Sequence, residues 1–196
     1  MKQGILFGTN NPHKLKEIRE ILHGVHSIYS LKEQGIDQDV EETEDSLEGN
    51  ALLKAKTYFQ LSQLPCFADD TGLEVEALGG APGVYTARYA GPECIAENNI
   101  RKLLKELGAN PNREARFRTV ISFFDGKEAY SFEGIVEGSI AFAPKGDKGF
   151  GYDPVFIPEG ESRSFAEMLA EEKHKISHRG RALEKFVSFL KSISNP

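Results

Sequence analysis

Apolar residues first gather at Ile5-Leu6-Phe7, a run short enough to read as a buried strand. Asn11 then offers a helix N-cap with Pro12 at the first helical position, and Leu15, Ile18 and Leu22 follow at helical spacing up to Gly24. The chain therefore opens as strand, polar turn, helix. Leu47, Ala51, Ala55 and Tyr58 share one face of a second helix, and Phe67 leads a short strand into Asp69-Asp70. Ile100, Leu103, Leu104 and Leu107 form the stripe of a third helix closed by Gly108. The β-prone runs 117–124 and 128–132 flank Asp125-Gly126, a strong hairpin signal. Ser164 and Glu167 make a capping box for a short helix. Ser177 caps the last helix, whose apolar face is Leu183, Phe186, Val187 and Leu190. Strand–helix alternation combined with a hairpin predicts an α/β fold on a mixed sheet.

The length of 196 residues suits one domain, or one domain with two lobes, and residues 1–196 are read as a single domain. A chain of this size buries roughly 70% of the surface exposed when unfolded, so its core needs no disulfide or metal staple. Apolar (39%) and charged (28%) fractions are those of a globular protein. No apolar run approaches the ~18 residues of a membrane span, and Met1-Lys2-Gln3-Gly4 carries no signal-peptide pattern. Cys66 and Cys94 fit neither a disulfide framework nor a metal-ligand spacing, so a cytoplasmic location with reduced thiols is expected. The net charge of −6 argues against a nucleic-acid partner. It leaves room for a small polyanion, provided a divalent cation and a few lysines and arginines converge locally.

Five segments carry candidate chemistry. Thr9-Asn10-Asn11-Pro12-His13-Lys14 joins a strand to a helix N-terminus, where free N–H groups and the helix dipole welcome phosphate. An ordinary capped helix is the plain alternative, and the Gly-Lys-Ser/Thr of a P-loop is absent. Asp69-Asp70-Thr71-Gly72 places adjacent carboxylates at a strand's end, suited to Mg²⁺ or to proton abstraction, or else forms an Asp-rich turn. The acidic run from Glu41 to Asp45 contains a further candidate metal ligand, Glu41 or Glu42, within what is otherwise a solvated face. In Gly149-Phe150-Gly151-Tyr152-Asp153 the glycines admit close backbone approach, Phe150 can stack on a base, and Asp153 can bond a base edge. His178 and Arg179 open a helix, where cations cost roughly 0.3–1 kcal/mol each, which suggests an acceptor-rich ligand beside them.

Taken together, these segments resemble the inosine triphosphate pyrophosphatase family, enzymes acting on non-standard purine nucleoside triphosphates. The resemblance spans nearly the whole chain. It rests on Thr9 through Lys14, Glu42-Thr43, Asn50-Ala51 with Lys54, Ala68 through Leu73, Leu78 through Tyr89, Gly149 through Pro154, and Ser177 through Leu183. The resemblance implies a two-lobed fold around a long mixed sheet with flanking helices and an active-site cleft between lobes. It implies hydrolysis of ITP, dITP and XTP to the monophosphate and pyrophosphate with Mg²⁺, usually by a homodimer. Thr9, Asn10, Asn11, Pro12, His13, Lys14 and Lys54 would hold the triphosphate, with Asp70 as proton acceptor and, with Glu42, as metal ligand. Thr71 would contact substrate. Phe150, Gly151, Tyr152 and Asp153 would read the purine, and Lys173, His178 and Arg179 would close the base pocket. Glu44 stands where the family often has glycine after Glu-Thr. A phosphohydrolase releasing orthophosphate and a nucleotide-binding sensor without turnover are the competing readings.

Overall fold

The computed structural model describes residues 4–22 and 27–194. Among the described residues seven strands form one mixed sheet: β1 (Ile5–Phe7), β2 (Ile28–Ser30), β3 (Cys66–Val75), β4 (Pro82–Gly83), β5 (Glu114–Phe124), β6 (Ala129–Ile140) and β7 (Phe156–Pro158). Their order is β2-β1-β3-β5-β6-β7, with β4 pairing β3 off this path. Five α-helices accompany them among the described residues: α1 (Pro12–Ile21), α2 (Leu47–Ser62), α3 (Ala96–Leu107), α4 (Ala170–Ile176) and α5 (His178–Ser194). The chain divides into two compact units, Met1–Asp70 with Thr119–Glu133 and Ala182–Pro196, and Thr71–Arg118 with Gly134–Arg181. β3, β5 and β6 each contribute one stretch to either unit.

In the first unit β1 runs parallel to β2 and to β3, with Phe7 opposite Phe67. Successive residues of a strand face opposite ways, and both faces of β1 are covered. Ile5 and Phe7 join Ile18, Leu22, Phe67, Phe186 and Leu190 in one core, while Leu6 joins Leu31, Tyr58 and Cys66 in another. That is why β1 reads as an unbroken apolar run rather than an alternation. Phe7 and Phe67 stack with ring centroids 4.5 Å apart, and both are fully buried. Truncating either to alanine would cost about 3–5 kcal/mol.

The second unit packs Leu73 and Val75 of β3 and Phe117 of β5 against Leu103 and Leu107 of α3 and against Val155, Phe156 and Phe165. β4 and β7 pair antiparallel with β3 and β6. β6 continues well past the hairpin's sequence signal because Gly138 admits β7: a Cβ there would lie 2.3 Å from the Ile157 carbonyl oxygen.

The helices appear where periodicity places them. Asn11 caps α1 by accepting from the His13 and Lys14 amides, and Ser46 caps α2 by accepting from Gly49. Ser177 accepts from the Gly180 amide at the start of α5. The Ser164–Glu167 capping box is present on a single 3-10 turn, Phe165–Glu167. Gly24, the expected end of the first helix, lies outside the described residues. β2, β4, β7 and α4 are too short to show a period in sequence.

Candidate functional site

The first unit gathers charge beyond the carboxyl end of β1 and, where a strand's end was expected, in the middle of β3, which runs on to Val75 because β4 pairs with its far half. Thr9 through Lys14 follow β1, and Asp69-Asp70 lie just beyond the Phe7–Phe67 pairing. Asn11 is held at both ends: its amide donates to Thr9 Oγ1 (3.2 Å), and its side chain caps α1. The exposed Asn10 side chain donates to Asp39 Oδ1 (3.1 Å). Pro12 occupies the first turn, and His13 is exposed.

Asp69 and Asp70 are both buried, but they are not a side-by-side pair. Consecutive strand residues point to opposite faces, so each carboxylate meets different partners. Asp69 lies 3.0 Å from Lys14 Nζ. Asp70 Oδ1 lies 3.9 Å from Lys54 Nζ, which is also 2.5 Å from Glu42 Oε1. The Asn50 side chain donates to Asp70 Oδ2 (3.2 Å) and accepts the Glu44 amide (3.0 Å). Of the two candidate glutamates, Glu42 makes the contact with Lys54, while Glu41 is exposed. Burial pulls the Lys54 pKa down, but the carboxylates of Asp70, Glu42 and Asp69 more than reverse this and hold it above the ordinary lysine value.

This donor set suits a hard divalent cation. Glu42 and Asp70 already converge on a cation, the Lys54 ammonium. Among the described residues no three acidic, imidazole or thiol groups close a metal cage. Mg²⁺ does not need one, because it takes one or two protein carboxylates and completes its shell with water and phosphate oxygens.

In the second unit the loop before β7 is drawn tight by one carboxylate. Asp153 Oδ2 accepts from the Phe150 amide (2.8 Å) and lies 2.6 Å from Lys173 Nζ, with both ionic side chains buried. A Cβ on Gly149 would lie 2.0 Å from that oxygen, and its φ of +71° is one glycine adopts freely. Lys173 Nζ and Arg179 Cζ stand 4.8 Å and 5.4 Å from the Phe150 ring centroid, within cation–π range. Arg179 also donates to Thr71 Oγ1 (3.3 Å). His178 stacks on Phe117 at 4.5 Å. Tyr152 faces the core, and its hydroxyl donates to the Thr86 carbonyl (3.0 Å). Gly151, at φ +63°, supplies the turn between Phe150 and Tyr152.

A buried pair such as Lys173–Asp153 is poor evidence for stability, since removing two charges from water offsets much of their attraction. The cluster instead presents an aromatic face, two cations and a carboxylate, which are the groups that recognise a flat polar ring. Asn50 and Asp39, absent from the candidate site residues of the sequence, are brought to the first unit's cluster by the fold. Asn50 was nevertheless visible as a polar position one turn before Lys54, beside the apolar face formed by Leu47, Ala51 and Tyr58.

A model of the Ham1 family matches residues 5–189. A dITP/XTP pyrophosphatase of Porphyromonas gingivalis is 56% identical over 187 residues, spanning 95% of this chain and 96% of that protein. One from Flavobacterium johnsoniae is 46% identical, spanning 95% and 97%. Among solved structures, the Staphylococcus aureus Ham1 protein matches with a TM-score of 0.89 at 38% identity, covering 97% of this chain and 99% of that one. A nucleoside-triphosphatase (dITP/XTP pyrophosphatase) from Mycobacterium abscessus matches with a TM-score of 0.77 at 41% identity, covering 95% and 98%.

Proposed function

The chain belongs to the Ham1 family, and from that premise we propose that residues 1–196 form one pyrophosphatase domain that hydrolyses ITP, dITP and XTP to the nucleoside monophosphate and pyrophosphate. The observation that carries the chemistry is the buried Asp70 carboxylate, flanked by Asn50 and Lys54 and sharing that lysine with Glu42.

Asp70 accepts the proton of a water as its oxygen bonds to phosphorus. The bridging P–O bond breaks, and its electron pair leaves on pyrophosphate. Lys14, Lys54 and the N-terminus of α1 take up phosphate charge. Glu42 and Asp70 would hold Mg²⁺, which would neutralise phosphate charge and make water more acidic.

The second unit's cluster would read the base. Hypoxanthine and xanthine carry an oxygen at position six and a proton on the adjacent ring nitrogen, whereas adenine reverses both. Arg179 is a donor suited to that oxygen, Phe150 is a stacking platform, and the Asp153–Lys173 pair fixes the loop carrying it. Thr71 lies within reach of Arg179.

Among the described residues no helix is long and apolar enough to cross a membrane; a cytoplasmic location is proposed because the proposed substrates are free nucleotides. A homodimer is proposed from the family resemblance alone. The deciding experiment is product analysis with ITP, XTP or dITP and Mg²⁺. Monophosphate and pyrophosphate are expected. Diphosphate with orthophosphate, or binding without turnover, overturns the reading.

A further inference from the structure

We propose that Asn50 is a positioning residue that sets both proposed metal ligands at once, an inference that rests on the pyrophosphatase reading. Asn50 is fully buried in α2, where an amide with unmet bonds would be costly. Its two ends grip different segments. Oδ1 accepts the Glu44 amide at 3.0 Å, two residues along from Glu42, and Nδ2 donates to Asp70 Oδ2 at 3.2 Å on β3. The amide's orientation admits no flip, because an N–H can only be met by its oxygen and a carboxylate oxygen only by its NH₂ group.

Lys54 lies one helical turn beyond Asn50 and faces the other oxygen of the same carboxylate, at 3.9 Å from Oδ1. α2 therefore divides Asp70's two oxygens. Asn50 anchors Oδ2, and Oδ1 is turned toward Lys54 and the Glu42 carboxylate that shares it. The same amide fixes the loop that delivers Glu42. A loop anchored elsewhere would leave the Glu42–Asp70 separation to fluctuate, and a cation shared by two carboxylates depends on that separation. Partners that orient ligands without touching the metal typically change affinity or activity by about 10–100-fold when removed.

The test measures Mn²⁺ binding by electron paramagnetic resonance without nucleotide, and kcat and KM for XTP with Mg²⁺, for the wild type, Asn50→Ala and Asn50→Asp. Circular dichroism confirms the fold of each. Asn50→Ala is expected to weaken Mn²⁺ binding and lower kcat by about 10–100-fold each, with KM for XTP little changed. Asn50→Asp keeps the shape and the acceptor for the Glu44 amide but cannot donate to Asp70. A role limited to anchoring the loop is preserved in it, and positioning of Asp70 is not, so its kcat should fall as well. This variant carries the test if the alanine variant does not fold. Wild-type kcat in Asn50→Asp, or wild-type Mn²⁺ affinity and kcat in Asn50→Ala, overturns the proposal alone. A wild type that releases no pyrophosphate overturns it together with the pyrophosphatase reading.

Discussion

The two units carry polar clusters of opposite design. In the first, ionic side chains meet ionic side chains: Lys14 with Asp69, and Lys54 with Glu42 and Asp70. In the second, the centre is an aromatic ring, with Lys173 and Arg179 set around Phe150 and a single carboxylate tying the loop. The first array suits phosphate and a divalent cation, which have charge but no preferred plane. The second suits a planar ring whose identity lies in the pattern of donors and acceptors on its edge. The contrast teaches that, on the proposed reading, turnover and base choice would reside in separate sets of residues, joined in the chain where Asp70 is followed by Thr71.

The sharpest way to break that division is Asp70→Asn. Removing the base and one carboxylate charge should lower kcat by at least about 10²-fold while leaving the ITP-to-ATP preference intact. A collapse of the preference alongside kcat would show the two clusters acting as one. Next in size is Arg179→Ala. A charged hydrogen bond lost from a buried site is worth about 1.5–3 kcal/mol, so the ratio of kcat/KM for ITP over ATP should fall roughly 10–100-fold. An unchanged ratio would remove Arg179 from base recognition.

Phe150→Ala should act on all bases alike, because every base has a π-face. Stacking is worth about 1–3 kcal/mol, so KM should rise roughly tenfold or more for ITP and ATP together. A loss confined to ITP would make Phe150 a selector instead of a platform. The smallest effect is expected from Gly149→Ala, read as stability. The new Cβ would press on Asp153 Oδ2 at a φ of +71°, and a strain of about 1–2 kcal/mol should lower Tm by about 2–8 °C. An unshifted Tm would mean that the Asp153 clasp yields without cost.

Much of this protein was legible before its structure. The helices over Leu47–Ser62, Ala96–Leu107 and His178–Ser194 follow from apolar periodicity and, for the last, from the cap Ser177, because helical geometry repeats locally. The segments Thr9–Lys14, Asp69–Asp70 and Phe150–Asp153 stand out as chemistry because their residue types are unusual for plain turns and helix starts. What tertiary structure alone decided is how those segments are wired. Adjacent Asp69 and Asp70 look like a pair in sequence, yet the strand's alternation sends them to different lysines. Tyr152 sits among candidate base-readers but turns into the core, whereas Asn50, unmarked by charge, joins Glu44 to Asp70. Local periodicity is written in neighbouring residues. Which oxygen meets which nitrogen across 20 residues of chain, as from Asn50 to Asp70, depends on packing that only the folded sheet and helix supply.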